Sequence, residues 1–206
     1  MCSPGAPEGD ALVRAGFMEG SANTHPGQGT ANRRFFFEDA FLELVWVCDE
    51  REARSVAVAP TRLWERWAER GQQACPFGLI FRAATGAPEP PFPTWSYRPS
   101  YSPVAIEIAT GTPLHEPELF YFRFPRPPGA LEPQPRKHAL ELRRLTGVRI
   151  GLPGVDARSD AARAAEATGL VTFASAASHV MTLAFDHETQ GRSRDLRPEL
   201  PVALSW

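Results

Sequence analysis

The stretch HPGQGTANRRFFFEDAFLELVW, residues 25–46, carries the densest pattern in the chain. Residues 31–37 are aromatic and β-prone, Glu38 and Asp39 are turn-like, and residues 41–47 are again strand-like. This pattern predicts a β-hairpin. Gly27 and Gly29 lie just before it, and we expect them to supply backbone angles that other residues avoid.

Two glycines at this spacing also suggest a phosphate-binding loop. A dinucleotide fingerprint needs a strand before its glycines and a helix after them, because the helix N-terminus holds the pyrophosphate. Here a strand follows the glycines, and Asn32 stands where a third glycine would be. The loop is therefore predicted not to bind a nucleotide.

Composition excludes several classes of function. The 206 residues carry a net charge of −2 with both signs interspersed, which offers no basic face to nucleic acid. No apolar run approaches the ~20 residues that span a bilayer, so no membrane segment is expected. Three cysteines without CxxC spacing argue against a disulfide framework and a structural zinc site, and favour the cytoplasm.

Two segments share one plan. Residues 7–16 and 159–169 each predict a short helix that ends at a glycine and leads into strand-like sequence. Further along, FLELVW (41–46) resembles PVALSW (201–206), and SPG (3–5) resembles LPG (152–154). Together these matches predict a duplicated strand–helix–strand–strand–strand unit.

The region between the units is predicted to elaborate the first one. It contains a helix after Thr61, strands near 77–83, 104–110 and 118–124, and a proline-rich loop or extended segment at 86–103. Residues 125–137 contain five prolines and are the natural linker. The predicted organisation is a first module over 1–124, a linker over 125–137 and a second module over 138–206.

The loop His-Pro-Gly-x-Gly-Thr-x-Asn at 25–32, followed by an aromatic strand and by FLEL, resembles the glyoxalase-like branch of the vicinal oxygen chelate superfamily. The resemblance implies an α+β fold in which paired βαβββ modules form a curled, cup-shaped mixed sheet. It implies a small organic ligand in the cup, often with a divalent metal, and a possible homodimer. The second module has an opening strand before LPG, whereas only two residues precede SPG, so the first strand is expected to be truncated by a late start.

The metal site implied by the resemblance takes ligands from the first and fourth strands of each module. Glu43 fills one of these places, but Ala203 stands opposite it in the duplication and the second module's opening strand has no histidine. One carboxylate does not hold a divalent ion tightly. We therefore expect no cofactor, with a divalent metal as the alternative.

Glu43 and His25 are the candidate catalytic residues. In an apolar cup the pKa of Glu43 would be raised, which suits proton transfer at a substrate carbon. His25 is a base or hydrogen-bond donor in this interpretation. The alternatives are a solvated Glu43 and a His25 that only orders the glycine turn.

The candidate ligand-binding residues are polar or aromatic. Asn32 and Arg34 share one face of the strand by alternation, although arginines on hairpins are mostly solvated. Trp95 and Tyr97, on the proline-rich segment, either cover the cup or anchor that segment to the core, and Trp46 belongs to the surrounding aromatic wall. The sequence thus predicts a small-molecule-binding protein without the usual metal. The alternative is a metal-dependent or Glu-based lyase or isomerase of the glyoxalase type.

Overall fold

A computed structural model describes residues 1–83, 89–123, 133–154 and 158–206. The fold is α+β, and its strands form three sheets, none of which closes into a barrel within these ranges. This agrees with the predicted fold class at the level of α+β. The part of the predicted linker at 125–132 lies outside the described residues, and 133–137 contain no helix or strand.

The first sheet contains the predicted hairpin. It consists of β1 (Asn23–His25), β2 (Thr30–Phe36) and β3 (Phe41–Val47), all antiparallel and in that order. The predicted helix before it is α1 (Gly9–Arg14). Because strand side chains alternate, Leu44 packs into the core while Glu43, its neighbour on β3, points to the opposite face.

The second sheet is formed by the middle region. It follows the short helices α2 (Glu50–Ala53) and α3 (Leu63–Ala68). Its strands are β4 (Gly78–Arg82), β5 (Thr94–Tyr97), β6 (Ile106–Ala109) and β7 (Glu118–Phe122), in the spatial order β4-β7-β6-β5. The three predicted strands are confirmed with shorter bounds, and β5 is an additional strand within the proline-rich segment.

The third sheet is formed by the C-terminal region. Strands β8 (Leu145–Leu152), β9 (Val171–Ser175), β10 (Val180–Phe185), β11 (Ser193–Asp195) and β12 (Val202–Ser205) lie in the order β11-β12-β10-β8-β9. Helix α4 (Asp160–Glu166) connects β8 to its parallel neighbour β9. The Ser159 hydroxyl caps this helix by accepting from the Ala162 N–H at 3.1 Å, as the sequence predicts.

The predicted pairing of two equivalent modules is not confirmed. The last two strands of the first unit, β2 and β3, form an antiparallel hairpin, whereas β10 and β12, their counterparts in the duplication, are parallel. A different likeness is present between the first and second sheets. The Cys2 N–H donates to the Val45 carbonyl at 2.7 Å, so the N-terminal segment lies beside the last strand of its sheet, as β4 lies beside β7.

One hydrophobic core joins the three sheets. Phe35, Leu44, Leu119, Phe185 and Leu204 belong to a single cluster of buried side chains. The ring of Phe37, directly after β2, lies 4.7 Å from that of Phe185 on β10. The three sheets therefore fold as one packed body around shared apolar contacts.

The glycine loop before β2 has the backbone angles that the sequence predicts. Gly27 and Gly29 have φ values of +81° and +73°, and the Gly29 carbonyl accepts from the N–H groups of Cys48 and Asp49 at 2.9 and 3.1 Å. A Cβ on Gly29 would lie 2.2 Å from the Asp49 carbonyl oxygen. The loop is thus closed against the start of α2, and only glycine fits at position 29.

We predict that Gly29→Ala destabilises the protein more than Gly169→Ala. Gly169 has a similar φ of +75°, but a Cβ there meets nothing within 4 Å. Gly169→Ala therefore measures only the cost of placing alanine at a positive φ. Gly169→Ala should lower the free energy of unfolding by about 1–2 kcal/mol, and Gly29→Ala by a further ~1–3 kcal/mol through the backbone clash. Urea unfolding measures both values. Equal losses would contradict the tight loop closure.

Candidate functional site

A cavity of about 1260 Å³ lies among the three sheets. Strands β3, β4, β6, β7, β8 and β10 all contribute to its lining. Most of these side chains are apolar: Leu79, Phe81, Ile106, Phe120, Phe122, Val148, Met181 and Leu183. More than a third of the lining residues are polar or charged, and they include Glu43, His25, Arg82 and Tyr97. Ligand sites commonly combine apolar walls with a small number of placed polar groups.

Glu43 faces this cavity from the middle of β3. Its neighbour Leu44 occupies the core, so strand alternation directs the Glu43 carboxyl group the other way. The residue is half-buried, and its side chain forms part of the cavity lining. Burial raises the pKa of Glu43 to about 7, while the positive charges of Arg34 and Arg82 act in the opposite direction.

Asn32 holds the Glu43 carboxyl group in place. This asparagine is completely buried on β2, and its Nδ2 donates to Glu43 Oε1 at 3.1 Å. Its Oδ1 accepts from the backbone N–H of Asn23 at 2.9 Å. The amide therefore connects the backbone of β1 to one oxygen of the carboxyl group.

His25 belongs to a chain of polar contacts around the start of β2. Its Nδ1 lies 2.8 Å from Thr30 Oγ1, which also accepts from Gln28 Nε2 at 2.8 Å. The Tyr101 hydroxyl donates to Gln28 Oε1 at 3.3 Å, and the Tyr101 ring lies 4.6 Å from the His25 ring. Burial, with a smaller effect of Arg34, lowers the pKa of His25 to about 4. The imidazole is therefore neutral at neutral pH and can accept or donate a hydrogen bond without carrying charge.

Arg82, at the end of β4, is a site residue that the sequence interpretation missed. Its guanidinium carbon lies 5.7 Å from the centre of the Phe41 ring and 5.2 Å from that of Phe122. Burial lowers the pKa of Arg82, and the charge of Glu43 acts against that. A lone arginine in the apolar strand FGLIFRA was the available signal.

Four predicted ligand-binding residues do not belong to the cavity lining that the described residues form: Asn32, which contacts Glu43 from behind the lining, and Arg34, Trp46 and Trp95. Arg34 turns outward and donates to the carbonyl and hydroxyl oxygens of Ser21 at 2.7 and 2.9 Å. Trp46 lies on the face of β3 opposite to Glu43 and packs against the core. Trp95 lies on β5, with its ring 6.1 Å from that of Tyr97, and of these two only Tyr97 reaches the cavity.

The described residues contain no group of three or more His, Cys, Asp or Glu side chains that could hold a metal ion. Ala203, predicted to stand opposite Glu43, is on β12 and pairs with Thr182. In the same part of the chain no helix is long and apolar enough to cross a membrane.

Comparison of this chain with protein-family models, with curated proteins and with solved structures finds no match in any of the three.

We predict that Glu43→Gln becomes stabilising as the pH rises. The carboxyl pKa is about 7 in the folded protein against 4.5 ordinarily. Between these values the folded state binds the extra proton, so the contribution of Glu43 to stability is fully present below pH ~4.5 and is lost as the pH rises through about 7. Glutamine has nearly the same shape as glutamate but does not ionise, so the variant does not lose this stability as the pH rises. The difference in unfolding free energy between the variant and the unchanged protein should grow by ~1–3 kcal/mol from pH 5 to pH 8.

Urea unfolding at the two pH values measures this difference. Glu69→Gln, at the exposed end of α3, controls for the removal of one surface carboxylate. A Glu43→Gln difference that does not change with pH would mean that the carboxyl group is solvated.

Proposed function

We propose that this protein is a glyoxalase-like small-molecule-binding protein whose ligand lies in the cavity and contacts Glu43. The observation that carries this proposal is the carboxyl group itself, held by Asn32 and directed into an apolar cavity of about 1260 Å³. Removing an ionised carboxyl group from water costs stability. A role in ligand binding would explain why the protein keeps one here. Binding a small organic molecule with polar groups is the use that fits the surrounding wall.

The arrangement of the first two sheets supports the glyoxalase-like part of the proposal. In each sheet the opening segment lies beside the last strand. Glu43 is on the last strand of the first sheet and Arg82 is on the opening strand of the second, and both line one cavity. The family resemblance of the 25–32 loop implies ligand contacts from the first and fourth strands of modules at 1–124 and 138–206, and Glu43 on β3 is the predicted contact that lines this cavity. No resident metal is part of the proposal.

The second candidate function is a Glu-based lyase or isomerase. It is favoured by the Glu43 pKa of about 7, because a general base works best when its pKa is near the operating pH. In an isomerase reaction on a hydroxycarbonyl compound, Glu43 would take a proton from the carbon that bears the hydroxyl group and return it to the carbonyl carbon, while the hydroxyl proton moves to the former carbonyl oxygen. His25 and Arg82 both line the cavity. A hydrogen bond from the neutral imidazole or the positive charge of the guanidinium group would stabilise the intermediate enolate.

We predict that Val45→Phe blocks the cavity. Val45 lines the cavity and lies on the same face of β3 as Glu43, so a larger side chain there fills ligand space. The probe is N-phenyl-1-naphthylamine, a neutral dye whose fluorescence rises in apolar surroundings. The unchanged protein should bind it saturably, and Val45→Phe should weaken binding about ten-fold or more, which corresponds to ~1.4 kcal/mol.

The matched control is Val56→Phe, because Val56 is 93% exposed. It adds the same ring to the surface and should leave dye affinity unchanged. Absence of saturable binding to the unchanged protein, or equal affinities of the two variants, would rule out this cavity as the ligand site.

A further inference from the structure

We propose that Arg82 is the anchor for an anionic group of the ligand, so that the cavity takes organic anions such as carboxylates or sulfonates attached to an apolar body. This inference rests on the proposed function and specifies its ligand class. It is carried by the position of the Arg82 guanidinium group, by the absence of an acceptor for it among the residues that the structure describes, and by the side chains around it.

The guanidinium group lies near two aromatic rings. Its central carbon is 5.7 Å from the centre of the Phe41 ring on β3 and 5.2 Å from that of the Phe122 ring on β7. Arginine stacks well on aromatic faces, and such stacking fixes the plane of the fork while its N–H edges stay available. The two rings come from different sheets, so the position of Arg82 depends on the assembled cavity.

Other arginines that are withdrawn from solvent have oxygen acceptors. Arg33 donates to both carboxylate oxygens of Glu19, each at 2.7 Å. Arg66 donates to Glu118 Oε2 at 2.8 Å and to the Glu116 carbonyl at 2.6 Å. Within the described residues, the Arg82 guanidinium group makes no hydrogen bond and no ion pair. It is a cation in an apolar wall whose five N–H donors remain for another molecule.

Glu43 does not take the role of that acceptor. The two charges influence one another, but the distance between them exceeds that of an ion pair. The Glu43 carboxyl group instead receives its hydrogen bond from Asn32. A carboxylate or sulfonate that lies against the Arg82 fork would make the paired, charge-assisted hydrogen bonds that guanidinium groups prefer.

The apolar side chains around Arg82 indicate the chemistry of the part of the ligand that is not the anionic group. The Phe41 and Phe122 rings, with the cavity-lining side chains Ile80, Ile106 and Phe120 on the same face of the second sheet as Arg82, offer apolar contact. A bare inorganic anion would leave this surface unused. An anion with an aromatic or aliphatic body uses both the fork and the wall.

Two dyes that share one ring system test the proposal. 8-Anilino-1-naphthalenesulfonate carries a sulfonate, and N-phenyl-1-naphthylamine is the same molecule without it. The unchanged protein should bind the sulfonate about ten-fold more tightly than the neutral dye, because the sulfonate accepts charge-assisted hydrogen bonds from Arg82. Arg82→Met should remove this preference and keep the affinity for the neutral dye. Arg163→Met, which removes an exposed charge on α4, should change neither affinity.

The outcomes separate this inference from the function on which it rests. If neither dye binds saturably, the proposed function fails and this inference fails with it. If the neutral dye binds and the sulfonate preference survives Arg82→Met, the cavity binds ligands but Arg82 is not the anchor.

A second measurement needs no variant, in case Arg82→Met does not fold. Benzoate and benzamide, a matched anion and neutral amide, compete with the bound sulfonate dye on the unchanged protein. Displacement by benzoate at about ten-fold lower concentration than by benzamide supports the anchor. Equal displacement overturns it.

Discussion

The site depends on the hydrogen bond from Asn32 to Glu43, which fixes the carboxyl group on the cavity-facing side of the β2–β3 hairpin. Strand alternation on β3 gives one face to the core through Leu44 and leaves Glu43 on the other face. The Asn32 amide, buried on β2, keeps that carboxyl group oriented by linking it to the backbone of β1. The hairpin thereby presents one fixed acid to the interior while its reverse side supplies hydrophobic packing.

The cavity follows from how the three sheets meet around that hairpin. Phe37 and Phe185 connect the first sheet to the third, and Arg82 reaches from the second sheet to a ring of the first. Apolar walls from all three sheets lower the local dielectric, which is why the pKa of Glu43 is raised and that of His25 lowered. The same walls strengthen the electrostatic attraction of Arg82 for any anion that enters.

Local structure could be predicted from the sequence because short-range rules govern it. The hairpin, the positive φ values of Gly27 and Gly29 and the Ser159 cap all depend on residues within a few positions. Glu43 was identified as a candidate by its place in the strand. Trp46 lies three residues further along, and alternation puts it on the other face, a consequence that the sequence interpretation did not apply.

The remaining differences between the sequence-based predictions and the structure come from long-range contacts. Arg34 shares the face of Asn32, but Ser21 offers it two oxygen acceptors outside the cavity. Arg82 contacts Phe41 and Phe122 only after distant strands pair, so the lone arginine in FGLIFRA could mark the residue but not its place in the cavity. The direction in which β10 and β12 pair is likewise a property of the assembled sheet, and short sequence matches do not encode it.

The most direct measurement is an NMR titration of the side-chain carboxyl carbons in protein labelled at glutamate, with Glu43 assigned from the Glu43→Gln variant. If the carboxyl group faces the cavity, its resonance titrates with a pKa of about 7 and shifts when N-phenyl-1-naphthylamine saturates the protein. A Glu43 resonance that titrates near the ordinary value of 4.5 and does not respond to the dye would contradict the placement of this carboxyl group in a ligand-binding cavity.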